Sequence, residues 1–249
     1  MNEPTIPQTV LFADLADRPL IATFDQPRAS SDGGAIVLKA ADRRLGLLAA
    51  LTTTIPDARA AARVTHGVGD LLAQRVFAIA CGHPDGNDAD RLADDPIHKL
   101  LLGRDPIEGS RLASQPTISR FENRVGIQEL YAMGHELAAS VIERHQQRLR
   151  GRARRITIDL DPTDDPTHGA QQLTFFNGHY DCWCYLPLLA FVTFDDEVEQ
   201  YLCAAILRPG NVPASCGARG VLRRLIDLLR IAFPHARFLV RLDGGFATP

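Results

Sequence analysis

At Arg155 the apolar pattern of this 249-residue chain switches from helical spacing to strict alternation. Two blocks of different architecture follow from that switch: an all-helical region and then a sheet. Before it, "GAIVLKAADRRLGLLAAL" places Ile36, Val37, Ala40, Leu45, Leu47 and Leu48 on one helical face. "DARAAARVTHGVGDLLAQRVFAIACG" repeats the pattern through Val68, Leu71, Leu72, Val76, Ile79 and Ala80, as one or two helices, with Gly82 at a C-cap-like position. "SQPTISRFENR" is a short helix with Ser114 as its N-cap and Pro116 in the first turn. Ile127, Leu130, Tyr131, Leu137, Ala138, Val141, Ile142 and Leu149 then trace a long amphipathic helix. Residues 1–30 are Pro-rich and weakly patterned, an irregular or β-like arm. The expected division is therefore a mostly helical region, 1–150, and a sheet region, 151–249.

In the second block Ile156, Ile158 and Leu160 alternate with Thr157, Asp159 and Asp161, the pattern of a half-buried strand. "CWCYLPLLAFVTF" reads as a central strand with a bulge or a late start at Pro187, which cannot donate to a ladder. "DDE" (195–197) is a hairpin turn, and "VEQYLCAAILR" returns. A helix over 218–233 buries Val221, Leu222, Leu225, Leu228, Leu229 and Ala232, and "RFLVRLD" is the last strand, ending at Asp243. The fold class is α/β, with a mixed sheet in the order strand, strand, strand, helix, strand. Hairpins make the first three strands antiparallel, and a right-handed crossover brings the fourth beside the first and parallel to it. Asp243 is thereby expected next to Asp159 and Asp161.

That juxtaposition gives the crowded acids of "RITIDLDPTDDPTHG" a purpose. Like charges this close repel unless solvent screens them or a cation sits among them. Carboxylates from two adjacent strand ends are hard oxygen donors suited to Mg²⁺ or Mn²⁺, and a pair of such ions clamps the oxygens of a phosphodiester displacement. Asp161 and Asp243 are the candidate metal ligands and catalytic acids, with Asp159 as the alternative to Asp161. Asp164 and Asp165 read as turn residues before Pro166.

A net charge of −3 excludes a general polyanion binder, yet six arginines fall between Arg144 and Arg155. Within that run Arg152, Arg154 and Arg155 are candidate phosphate contacts; a solvated helix end is the plain alternative. In "QPTISRFENR", Gln115, Thr117, Ser119, Arg120 and Asn123 offer donors and acceptors for reading DNA, with Arg120 and Arg124 the contacts to test and simple packing the alternative. His179, Cys182 and Cys184 lack a second ligand pair at zinc-finger spacing and read as strand residues. His168 reads as a turn residue. No GxxxxGK[ST] exists, so ATP is not implied. Five cysteines do not make a secreted framework. No signal peptide or long apolar span is visible, and a reduced cytoplasmic protein, nucleoid-associated and without a membrane partner, is expected.

"DLDPTDDPTHGAQQLTFFNGHYDCWCYLPL", "LRPGN" and "RLDGGFATP", together with "RASSDGGAIVLKAADRRLGL", "RVTHGVGDLLAQRVFAIACGHPDGNDADRLADDP" and "LASQPTISRFENRV", resemble the insertion-sequence transposases of DDE group 1, in the insertion-sequence family numbered thirteen-eighty. The resemblance spans essentially the whole chain. It implies an RNase H-like catalytic domain, here its first part only, that cuts DNA and joins transposon ends to a target with three carboxylates and Mg²⁺. The first acid falls in "IDLD", at Asp161 or Asp159, and the second in "RLDGGF", at Asp243. Gly244 stands where the family usually has serine. The family's third acid, a downstream helical glutamate, has no counterpart before Pro249, and this implies a truncated, catalytically incomplete copy. The partners implied are terminal inverted repeats and target DNA, with a homodimer or association with intact transposase. A non-catalytic fragment that occupies transposon ends and inhibits intact enzyme is the second reading. A standalone nuclease would need Asp195, Asp196 and Glu197 at the far end of the sheet.

Overall fold

The computed structural model describes residues 29–247 apart from residue 170. The expected Pro-rich arm lies outside the described residues but for its last two positions. Two compact units divide the chain, Met1–Glu129 and Leu130–Pro249.

The first unit is helical: α1 (Ala35–Leu45), α2 (Leu47–Thr53), α3 (Val68–Ala80), α4 (Asp88–Leu92), α5 (Pro96–Leu101) and α6 (Gln115–Arg124). Its core gathers Ile36, Leu48, Leu71, Leu72, Phe77, Leu92, Leu101, Ile118 and Phe121. Gly46, at φ 68°, breaks what the periodicity presents as one helix into α1 and α2, and Asp42 Oδ1 accepts the Leu48 N–H at 2.9 Å to start the second. The inward face is accordingly corrected: Val37 and Leu45 are exposed. On α3 the expected stripe is rotated. Val76, Ile79 and Ala80 face solvent while Gln74, Phe77 and Ala78 are buried. Gln74 sets this rotation, because its amide donates to Ala113 O at 2.8 Å and accepts Ala113 N–H at 3.0 Å, closing a backbone-like pair onto the segment leading into α6. Buried amides are tolerated when paired in this way. Ser114 precedes α6 as expected, but its hydroxyl lies 3.3 Å from Thr117 Oγ1 and makes no side-chain cap bond to the backbone.

The second unit holds most of α7 (Ile127–Leu149), then β1 (Arg155–Pro162), β2 (Asp165–Pro166), β3 (Phe175–Asn177), β4 (Cys182–Tyr185), β5 (Leu188–Phe194), β6 (Tyr201–Ile206), α8 (Ala218–Ala232) and β7 (Arg237–Leu242). Ile127, Leu130 and Tyr131 in the first turns of α7 are exposed, against expectation; Ala138, Ile142 and His145 are its buried positions. The main sheet has the order β6-β5-β1-β7. β5 runs antiparallel to β1, and β7 runs parallel to it with Leu160 opposite Leu242. The core lies on one face, where Ile156, Ile158, Leu160, Ala190, Val192 and Phe194 meet Val221, Leu225 and Leu229 of α8. Each of these larger side chains contributes roughly 1.5–3 kcal/mol of transfer free energy.

The run expected as one central strand is two. Pro187 separates β4 from β5, and β4 leaves to join a second sheet of order β2-β4-β3. Asp165 is thus a strand residue rather than a turn residue, paired with Tyr185. Among the described residues no helix is long and apolar enough to cross a membrane.

Candidate active site

Alternation along β1 sends Ile156, Ile158 and Leu160 into the core and Thr157, Asp159 and Asp161 to the opposite face. The parallel register extends that face across β7: Asp159 lies opposite Arg241, and one step beyond the Leu160–Leu242 pair come Asp161 and Asp243. Neighbouring strands lie about 4.7–4.9 Å apart, within reach of a shared ion for two carboxylates. Both acids are exposed. Asp243 closes β7 by accepting Gly245 N–H at 2.9 Å, which caps the 3₁₀ turn Gly244–Phe246. The Asp161 side chain has no hydrogen-bond or ion-pair partner among the described residues.

Asp159 differs from Asp161. Arg241 engages both its oxygens, with Nη2 2.7 Å from Oδ2, and Gln200 Nε2 donates to Oδ2 at 3.3 Å. Its lone pairs are committed to protein donors, and the same pairing raises the Arg241 pKa. The register that creates this pair is not readable from spacing alone.

Tyr180 senses the acidic edge. Its hydroxyl donates to Pro162 O at 3.3 Å. Burial raises its pKa, and the charges of Asp164, Asp243 and Asp161 raise it further. Three carboxylates thus share the surroundings of one phenol, at the mouth of a cleft of about 880 Å³ lined in part by Pro162, Tyr180, Asn211, Pro213, Asp243 and Gly244.

The "LRPGN" segment forms the opposite wall. A Cβ on Gly210 would sit 2.1 Å from Cys184 O and 2.7 Å from Phe175 O, so only glycine fits against the β3–β4 pair. Asn177 Nδ2 donates to Gly210 O at 2.7 Å. Arg208, buried, gathers three carbonyls: Nε donates to Leu186 O at 2.7 Å, and Nη1 to Ala214 O at 2.9 Å and Cys216 O at 2.8 Å. Its Nη2 is buried without a partner, and burial lowers its pKa.

The remaining sequence candidates lie elsewhere. Arg154 and Arg155 pair with Asp196 at 3.6 and 2.6 Å, and Asp195 Oδ1 accepts their backbone N–H groups at 2.7 and 3.0 Å. They stand at the start of β1, about 20 Å of strand from Asp161. With Arg152, His235 and Arg237 they line a separate cleft of about 700 Å³. The same contacts keep Asp195 and Asp196 away from the acidic edge. In the first unit Arg120 reaches Thr117 Oγ1 at 3.2 Å, Arg124 pairs with Asp57 at 3.2 Å, and Gln115 N–H is accepted by Asp90 Oδ1 at 3.1 Å. His168 and His179 are exposed, and Cys184 is buried with its thiol pushed up to about 11 by burial and by Cys182.

The donor set at the sheet edge, carboxylates only, fits a hard divalent cation. Residues 12–249 match the family model described as transposase DDE domain, group 1. No curated protein and no solved structure matches the chain.

Proposed function

The chain belongs to the transposase DDE domain group 1 family, and from that premise we propose that it acts on DNA at transposon ends, with Asp161 and Asp243 as the pair that holds a divalent ion. One observation supports this reading: the parallel β1–β7 register pairs Leu160 with Leu242, and Asp161 and Asp243 are the next residue on each strand. Asp161 is preferred to Asp159 because Arg241 and Gln200 already occupy Asp159. Mg²⁺ or Mn²⁺, when bound, supplies charge neutralisation and activation of a water or hydroxyl at the scissile phosphate.

The chain's own residues do the rest. Asp161 and Asp243 would hold the ion. Asp159 holds Arg241 on the same face, so that β7 keeps its register. Tyr180, its proton retained by burial and by three neighbouring carboxylates, lines the cleft and would donate to a phosphate oxygen on releasing Pro162 O. An RNase H-like arrangement, membership of the insertion-sequence family numbered thirteen-eighty, and division of labour between a DNA-binding region, 1–150, and a catalytic region, 151–249, belong to the same proposal. Arg120, Arg124, Gln115, Arg152, Arg154 and Arg155 are its DNA contacts.

The test is cleavage of labelled terminal-repeat DNA with Mn²⁺. Asp161→Asn and Asp243→Asn each abolish nicking while leaving mobility shifts intact. Nicking that survives either substitution overturns the assignment. A second reading has its own observation, since only two strand-end carboxylates meet at this edge among the described residues, with Asp164 the third acid near Tyr180. In that reading the chain occupies ends without cutting them, and shifts without nicking from the unsubstituted protein support it.

A further inference from the structure

The helical unit contains a second convergence of ligating groups. Asp32 immediately precedes the turn into α1. His83 is placed by the turn that ends α3: Gly82, at φ 87°, lets His83 N–H reach Ala78 O at 2.9 Å and its own N–H reach Ile79 O at 3.0 Å. His98 is placed on α5 by Asp95, whose carboxylate accepts Ile97 N–H at 2.8 Å and His98 N–H at 3.0 Å. Two backbone devices, and the place of Asp32 just before α1, therefore bring three side chains to one point. His83 Nε2 and His98 Nε2 each lie 2.9 Å from the same Oδ2 of Asp32, and the three ligating atoms fall within 4.8 Å of one another. The side chains are 15%, 0% and 9% exposed for His83, His98 and Asp32.

We propose that Asp32, His83 and His98 bind a late first-row divalent ion, Zn²⁺ foremost, which pins α1, α3 and α5 together. Two imidazoles and one carboxylate suit Zn²⁺, Co²⁺ or Ni²⁺ and not Mg²⁺ or Ca²⁺. Metal–ligand bonds of about 2.0–2.2 Å ask the donors to part by a few tenths of an ångström, within the reach of side-chain rotation. The fourth position is left to water.

The tautomers permit capture. Metal binding at Nε2 moves the ring proton to Nδ1. His98 Nε2–H donates to Asp32 Oδ2 and its Nδ1 is buried without a partner, so capture frees the Nε2 lone pair and leaves a buried Nδ1–H with no acceptor among the described residues. His83 Nδ1 accepts from Arg91 Nη2 at 3.0 Å, and Arg91 must release it. That side chain is 64% exposed and already paired with Asp88 at 3.2 Å, so it turns away at small cost. The site uses neither Asp161 nor Asp243, and its success or failure is separate from that of the DNA chemistry.

The test strips the full chain with chelator and titrates it with Zn²⁺ or Co²⁺ alone. One tightly bound equivalent is expected, with Co²⁺ giving the intense visible bands of a four-coordinate site and Zn²⁺ raising Tm. The double variant Asp161→Asn, Asp243→Asn keeps that equivalent. His83→Ala and Asp32→Asn weaken binding by more than the 10–100-fold typical of a lost second-sphere partner, and Arg91→Ala tightens it. His83 is the outermost of the three, so its variant reports on binding in a folded protein, verified by its unchanged circular dichroism. Zn²⁺ uptake by His83→Ala equal to that of the unsubstituted chain overturns the site. So does competition by equimolar Mg²⁺, or loss of the equivalent in the Asp161/Asp243 double variant.

Discussion

Replacing Arg208 with methionine removes a buried cation while keeping most of its volume. The guanidinium makes three charge-assisted bonds, to Leu186 O, Ala214 O and Cys216 O. Each is worth about 1.5–3 kcal/mol, giving a gross loss of roughly 4.5–9 kcal/mol. Against this stands the relief of a desolvated charge, several kcal/mol, and of the unpartnered Nη2, about 1–3 kcal/mol. At mid-range the net expectation is destabilisation by about 2 kcal/mol. Lysine does not rescue it, because a single ammonium cannot span three carbonyls in the guanidinium's planar fork. Urea unfolding of the full chain, followed by the fluorescence of its one tryptophan, Trp183 on β4, reads the second unit. Nicking is expected to fall beyond the folded fraction, since the wall carrying Asn211 and Pro213 is released from the cleft. A variant within 1 kcal/mol of the parent, or one rescued fully by lysine, refutes the claim that three-point capture is what Arg208 contributes.

Other consequences are open to equally direct measurement. Gly210→Ala drives a Cβ into the Cys184 and Phe175 carbonyls and should cost about 2–4 kcal/mol as the small sheet and the loop separate; an unchanged urea midpoint would count against the packing described. Leu225→Ala, at a buried site on α8, should cost about 2–5 kcal/mol by the same assay. Burial raises the Asp32 pKa, but hydrogen bonds from His98 and His83 outweigh it and leave it lowered. The resulting stability is present above the unfolded value of about 3.9 and is lost as pH falls below that toward the folded value. Asp32→Asn should flatten acid unfolding in that window, and an identical acid limb in parent and variant would contradict the pairing. Exposed Cys216 should react first with a disulfide reagent, whereas Cys203, its thiol pushed up to about 12 by burial, should react only on unfolding; quantitative labelling of Cys203 in the native protein would be inconsistent with its placement.

Much of this architecture is legible in the sequence because side-chain period reports burial directly. The alternation in "ITIDLD" is reproduced by β1, and connection rules suffice to seat β7 beside β1. Spacing fails where a single tertiary contact overrides it. Gln74 turns α3 by pairing with Ala113, and Gly46 divides one apparent helix. The β2-β4-β3 sheet is built from strands of two to four residues, too short to show a period, and its position depends on the close approach of Gly210. At the acidic edge, alternation puts Asp159 and Asp161 on one face, but the difference between them comes from Arg241, whose partner only the register reveals. The Asp32–His83–His98 cluster has no sequence signature at all, since its members come from three separate segments.

The Asp159–Arg241 pair joins positions 82 residues apart in the chain. A contact of that sequence separation is non-local, and its loop-closure entropy is spent before the contact forms. Among the described residues the acidic edge hangs on β7, a strand hydrogen-bonded to one neighbour, β1, and β7's own residues are half-buried or exposed. Such a strand is the first to let go in native-state fluctuations. Brief detachment of β7 would dismantle the ion-binding pair while β1 and β5 stay locked, so amide exchange should be faster along Phe238–Leu242 than along Leu188–Phe194. The chain's chemistry would then switch off reversibly well before the protein unfolds.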